Sequence, residues 1–319
     1  MGNTLPLIET ASDAISYQNS IKRLGVLFEP IMTIMLTQST TPEMIFEAAQ
    51  KGIRFVKFIP IGTSTGAIKG LRIDDFEKLY EIFPAIIENG MHLLLHAELM
   101  FERSGREISL LEREVKAISV ISMFHFKFPE MKITIEHAST VNMIGFVKLC
   151  DSENIRATLT PHHALLSYSD VFDQEGRIIN PFNYCLPVLK REVDRQAVVE
   201  AMVSGDERFF AGTDAAPHWA LSKTGENPPA GIFFGSSEYL RYLEVFEREK
   251  AMNRFENFTS RFGAEYYGYS LNEENITVAQ NDWVQPEGEH RVGFCMGGEK
   301  LRWKIIKRRE KQLFINFLL

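Results

Sequence analysis

Phe55-Val56-Lys57-Phe58-Ile59-Pro60 is an apolar run with one lysine inside it. A strand covered on both faces reads as continuous hydrophobics, and an ammonium buried there without a partner is costly. Lys57 is therefore at a strand end, paired, or chemically altered. Three further runs repeat the arrangement: Leu93-Leu94-Leu95-His96-Ala97-Glu98, Ile133-Thr134-Ile135-Glu136-His137 and Phe209-Phe210-Ala211-Gly212-Thr213-Asp214, with His218 close behind the last. Each is a short apolar strand ending in a side chain that can ligate a metal. Chemistry at the C-terminal ends of strands is the arrangement of a TIM-type α/β barrel.

Working outward, the spacing predicts strands near residues 31, 56, 94, 134, 158 and 210. A seventh follows if residues 1–7 carry the tail of another. A closed eight-stranded barrel needs more, so the first strand is expected to be incomplete or altered. Helices are predicted over 10–22, 41–51, 73–88, 109–122, 139–148, 192–204, 236–252 and 256–262. Thr10 or Ser12 caps the first, and Pro42 opens the second. Residues 184–190 contain Pro187 and read as a loop bearing functional groups. Short strand-like pieces follow from Ile276, outside the alternation. Gly62-Thr63-Ser64-Thr65-Gly66 is either an ordinary connection or an anion-binding loop of exposed amides; it lacks the ending of a nucleotide P-loop.

The chain has 319 residues, 45% hydrophobic and 24% charged, the composition of a globular protein. Its net charge of -7 argues against a nucleic-acid surface. Cys150, Cys185 and Cys295 are odd in number and widely spaced, so neither a disulfide framework nor a zinc knuckle is expected. No basic residues precede an apolar N-terminal run, and no stretch has the length of a membrane helix. These features predict a cytoplasmic location with no membrane partner. The basic run from Lys300 to Lys311 is a solvated tail or an anion contact.

His96, His137 and Asp214 are all zinc-ligand types. Lys57 joins them only if carbon dioxide converts its amine to a carbamate, whose two oxygens could bridge two ions. Plainer readings stand beside these. A lone strand-end histidine is more often a core residue than a ligand. Asp214 could cap the following helix, Lys57 could pair with a carboxylate, and Glu98 and Glu136 could be partners of the histidines beside them.

Several longer words narrow the field: LLLHAEL at His96, IEHAST at His137, TLTPHH at His162, NYCLPVLK at Tyr184, FFAGTDAAPH ending at His218, and EKLRWKI near Trp303. Together they resemble the single-function bacterial dihydroorotases of the amidohydrolase superfamily, from Met1 to about Lys304. The resemblance implies reversible interconversion of N-carbamoyl-L-aspartate and (S)-dihydroorotate in pyrimidine biosynthesis. It implies that the carboxylated lysine between two zinc ions is Lys57, that His96 and His137 complete one ion's shell, and that Asp214 touches the other and acts as general base. Asn3 and His218 would hold the substrate carboxylate. Thr63 and Thr65 would lie on the mobile loop, and backbone groups near Leu186 would face the pyrimidine ring. A homodimer is implied as well.

The family's first strand carries a His-x-His pair and a nearby arginine, and this sequence offers no match for either. His92, His125, His162, His163 and His290 lie elsewhere. One Zn2+ on Lys57, His96 and His137 is therefore expected, with the second site short of two ligands. The alternative is an inactive homologue serving as a structural or partner-binding subunit. Residues 1–304 are expected to form one barrel domain, and residues 305–319 a basic and apolar tail that covers its open edge.

Overall fold

A computed structural model describes residues 4, 6–65, 67 and 69–307. The chain divides into two compact units, Met1–Ala138 with Gly145–Ala157, and Ser139–Ile144 with Thr158–Leu319.

In the first unit, α1 (Ala11–Lys22) begins at Thr10. The Thr10 hydroxyl accepts from Asp13 N while the Asp13 carboxylate accepts from Thr10 N, a reciprocal cap. Then come β1 (Thr33–Met35), α2 (Pro42–Gln50), β2 (Phe55–Phe58), α3 (Phe76–Glu88), β3 (His92–His96), α4 (Arg113–Lys127) and β4 (Ile133–Glu136). After these, α5 (Val141–Leu149) and β5 (Ile155–Leu159) each contribute residues to both units. The strands are parallel from β1–β2 to β4–β5. Every residue of β3 is buried, as its unbroken apolar run requires. On α3 and α4, Phe83 meets Phe124 edge-on at 5.0 Å between ring centroids. Such a contact contributes about 0.5–1.5 kcal/mol beyond burial.

Several element bounds differ from the sequence reading, and two of the differences have a clear cause. The first strand is only three residues long. Pro30 has no N–H to give a ladder, and Leu27 and Phe28 are exposed. On the other side of β1 from β2, Met35 N donates to Ile8 O, and Leu7 packs against the cluster of Met35, Ile59 and Ala67. The second difference is α4, which starts four residues later than expected. Arg113 is buried there, with its guanidinium donating back to Ile108 O and to Glu107.

The second unit contains α6 (Pro161–Leu165), α7 (Glu192–Val203), β6 (Phe209–Ala211), α8 (Ala220–Lys223), α9 (Glu238–Arg248) and α10 (Phe262–Tyr267). It ends in β7 (Thr277–Val284), β8 (Gly288–Glu289), β9 (Val292–Gly293) and β10 (Lys300–Lys307). A π-helical turn over Asn257–Arg261 runs into α10. β7 and β10 pair antiparallel, and Trp303 Nε1 donates to Glu247 on α9. Residues 305–307 thus continue a strand across the expected tail boundary, while residues 308–319 lie outside the described part.

Six strands hydrogen-bond in chain order, β1-β2-β3-β4-β5-β6. At the far end of this sheet Gly212 N donates to Leu159 O. A Cβ on Gly212 would come within 2.6 Å of Thr158, so only glycine permits that approach. No helix among the described residues is long and apolar enough to cross a membrane.

Candidate active site

The first unit gathers ionisable groups at the C-terminal ends of β2, β3 and β4. Lys57 lies opposite Leu94, and His96 opposite Glu136, in the parallel register. Lys57 forms an ion pair with Glu136, and both side chains are largely buried, at 16% and 13% exposed. Lys57 is thus both near a strand end and paired. One reading made Glu136 a partner of the histidine beside it in sequence. It serves the lysine two strands away instead, because alternate residues of a strand face opposite sides.

His96 Nε2 is 2.9 Å from Glu98 Oε2, with both residues buried. This is the expected carboxylate partner. With Glu98 ionised and the proton on Nε2, the imidazole lone pair is on Nδ1. His137 follows β4 directly, and its ring meets that of His96 at 4.6 Å between centroids, nearly edge to face. Its φ of 47° is left-handed. Non-glycine residues in that region cost energy and cluster where function over-determines the backbone. His96 and His137 are thus in contact, and Lys57 pairs with Glu136 at the neighbouring strand ends. After β2, buried Thr63 donates its hydroxyl to Pro60 O at 2.7 Å, and Thr65 is half-buried. Asn3 lies outside the described residues.

The second unit holds Asp214, His218 and Leu186. Asp214 follows β6 with φ 50°, the second left-handed residue among the candidate ligands. It caps no helix: α8 has Trp219 at its N-cap. His218 Nε2 lies 3.0 Å from Ala230 O. A carbonyl only accepts, so Nε2 carries the proton and the neutral ring keeps its lone pair on Nδ1. Burial lowers the His218 pKa, with Lys223 adding to the effect and the Ala230 carbonyl opposing it. Gly231, at φ 151°, makes room for this ring; a Cβ there would sit 2.7 Å from His218 Nε2. Leu186 precedes Pro187 through a cis peptide.

Two buried groups in this unit carried no sequence signal. Lys223 is 3% exposed. Its Nζ donates to the carbonyls of Tyr184 (3.1 Å), Pro229 (3.0 Å) and Gly231 (2.8 Å), joining the Leu186 segment to the segment behind His218. Burial pushes its ammonium down to about 8. Glu238 opens α9 at 2% exposed, and burial raises its carboxyl to about 8, with Asp214 contributing. Nothing in either neighbourhood of sequence marks these residues as interior.

Parallel strands in chain order, alternating with helices and ending in imidazoles, a lysine and an aspartate, define an amidohydrolase-type α/β barrel, a class of metal-dependent hydrolases. No family model matches the chain. It is 35% identical over 316 residues to a dihydroorotase of Marinomonas sp. (strain MWYL1), covering 96% of this chain and 89% of the relative. The mitochondrial dihydroorotase of Arabidopsis thaliana is 34% identical over 318 residues, covering 96% and 82%. The crystal structure of Saccharomyces cerevisiae dihydroorotase in complex with 5-fluoroorotic acid superposes with a TM-score of 0.87 at 31% identity, covering 98% of this chain and 89% of that one. The chain belongs to the dihydroorotase family, whose members hydrolyse a cyclic amide.

Proposed function

We propose that this protein interconverts N-carbamoyl-L-aspartate and (S)-dihydroorotate, a small substrate bearing a carboxylate. The supporting observation is the contact of His96 with His137, with the Lys57–Glu136 pair at neighbouring strand ends, in a chain 35% identical to a dihydroorotase. The donor set fits zinc. Two imidazoles lie edge to face, and one has its other nitrogen on a carboxylate, as ligating histidines do. Lys57 as its carbamate, His96 and His137 would hold one ion; Asp214 is the candidate for the other. Zinc, when bound, lowers the pKa of water and polarises the substrate carbonyl.

In hydrolysis, Asp214 takes the proton from the attacking water and returns it to the departing amide nitrogen. In ring closure the same carboxylate moves the proton the other way. His218 holds the substrate carboxylate together with Asn3, and backbone groups at Leu186 orient the ring. Thr63 and Thr65 lie on the loop that excludes water. The reading extends to a cytoplasmic homodimer with residues 1–304 as its barrel domain.

The test is dihydroorotate hydrolysis by the zinc-loaded full chain. Asp214→Asn is expected to lower kcat by about 10²–10⁴-fold. A zinc-loaded chain with no turnover, or an Asp214→Asn variant with full turnover, would count against the proposal. The first result favours a partner-binding homologue.

A further inference from the structure

His162, His163 and Cys185 lie together in the second unit, all buried, with one ligand atom from each within 4.8 Å of the others. None of them is a residue to which the reaction above gives a role. His162 is 1% exposed, and neither ring nitrogen has a hydrogen-bond partner among the described residues. A neutral imidazole presents one N–H and one lone pair, and burying both unmatched is costly. Burial, with His163 adding, holds its pKa well below the usual histidine value, so the ring is neutral and its lone pair is available.

His163 and Cys185 converge on one oxygen. His163 Nε2 is 3.1 Å, and Cys185 Sγ 3.2 Å, from the Pro187 carbonyl. Across the same ring, Nδ1 is 2.8 Å from Thr160 Oγ1. A hydroxyl donates or accepts, so the imidazole can carry its proton on either nitrogen. With the proton on Nδ1, held by Thr160, the Nε2 lone pair is left to take a cation beside the Pro187 oxygen. A hydrogen bond at the far nitrogen is how ligating imidazoles are oriented.

We propose that His162, His163 and Cys185 bind one soft d10 cation, Zn2+ in the first instance, with the Pro187 carbonyl at hand as a fourth donor. Two imidazoles and a thiolate suit zinc and disfavour magnesium or calcium. Binding exchanges the Sγ–H proton for the cation, releases that proton to solvent, and moves the His163 proton from Nε2 to Nδ1. Without a cation the thiol stays protonated: burial, with Asp214 adding, pushes it well above its usual range. The Asp214 charge offsets the residual positive charge of the complex, while Lys223 and Lys190 oppose it. Affinity is therefore expected below that of a four-ligand structural site. The cation would join α6 to the segment carrying Leu186.

Titration of the metal-free full chain with Co2+ tests this. A thiolate-to-cobalt charge-transfer band is expected in the near ultraviolet, and a site of lysine, histidine and aspartate cannot produce one. The band should vanish in Cys185→Ser and persist in Cys150→Ser and Cys295→Ser. His162→Asn should weaken Co2+ binding by about tenfold or more, and it decides the matter if Cys185→Ser does not fold. No band in the parent, a band that survives Cys185→Ser, or unchanged affinity in His162→Asn would overturn the proposal. Turnover is read separately, so a failed titration and a failed assay point to different conclusions.

Discussion

At the scale of single residues, His218 sets a condition on substrate binding. Its Nε2 proton is given to Ala230 O, so only a second proton, on Nδ1, lets the ring donate to a carboxylate. Burial lowers its pKa, which makes that charged form scarce near neutral pH in the free protein. The expected outcome is a KM for dihydroorotate that rises with pH, starting below the usual histidine range, by up to about tenfold per unit, through loss of the imidazolium. His218→Asn should raise KM at low pH and flatten this dependence. Identical KM–pH profiles for parent and variant would refute the role. Sequence alone marked His96, His137 and Asp214 because each ends an apolar strand. It could not show the left-handed backbone at His137 and Asp214, nor the Lys57–Glu136 pair, since both depend on neighbouring strands.

At the scale of elements, strands with continuous apolar runs and helices with marked caps were readable. Thr10, one of the two residues expected to do so, caps α1, and Pro42 opens α2 as expected, behind a Thr41 cap. Harder were elements whose ends depend on tertiary partners, such as α4, where buried Arg113 turns back on Ile108, and β1, bordered by Ile8. α8 has only four residues, yet its last one gathers three carbonyls from two separate segments. Lys223→Met keeps the length of the side chain and removes the donors. The Tyr184 carbonyl keeps its bond from Gly231 N, while a buried carbonyl left unmatched, as at Gly231, costs about 1–3 kcal/mol. A fall in Tm and a KM for dihydroorotate at least about tenfold higher are expected, by thermal denaturation and steady-state kinetics, since about 1.4 kcal/mol is a factor of ten. A variant with the parent's Tm and KM would show that the clamp does not shape the site.

For the molecule as a whole, the alternation of strand and helix was enough to assign the fold class, and six strands were counted where six form the main sheet. The division into two units was not readable, because periodicity reports which face of an element is apolar and not which elements cluster. Zinc bound by folded protein should stabilise it by mass action, about 2.7 kcal/mol at a hundredfold excess over Kd. Dipicolinate treatment is therefore expected to lower Tm by several degrees and zinc to restore it. An unchanged Tm after verified metal removal would argue against a resident ion. The path of the backbone adds one more constraint. It passes from one unit to the other at Ala138/Ser139, at Ile144/Gly145 and again at Ala157/Thr158. No single scission of the polypeptide can release either unit intact, and chimaeras made by joining two relatives at one crossover point would split a unit between parents.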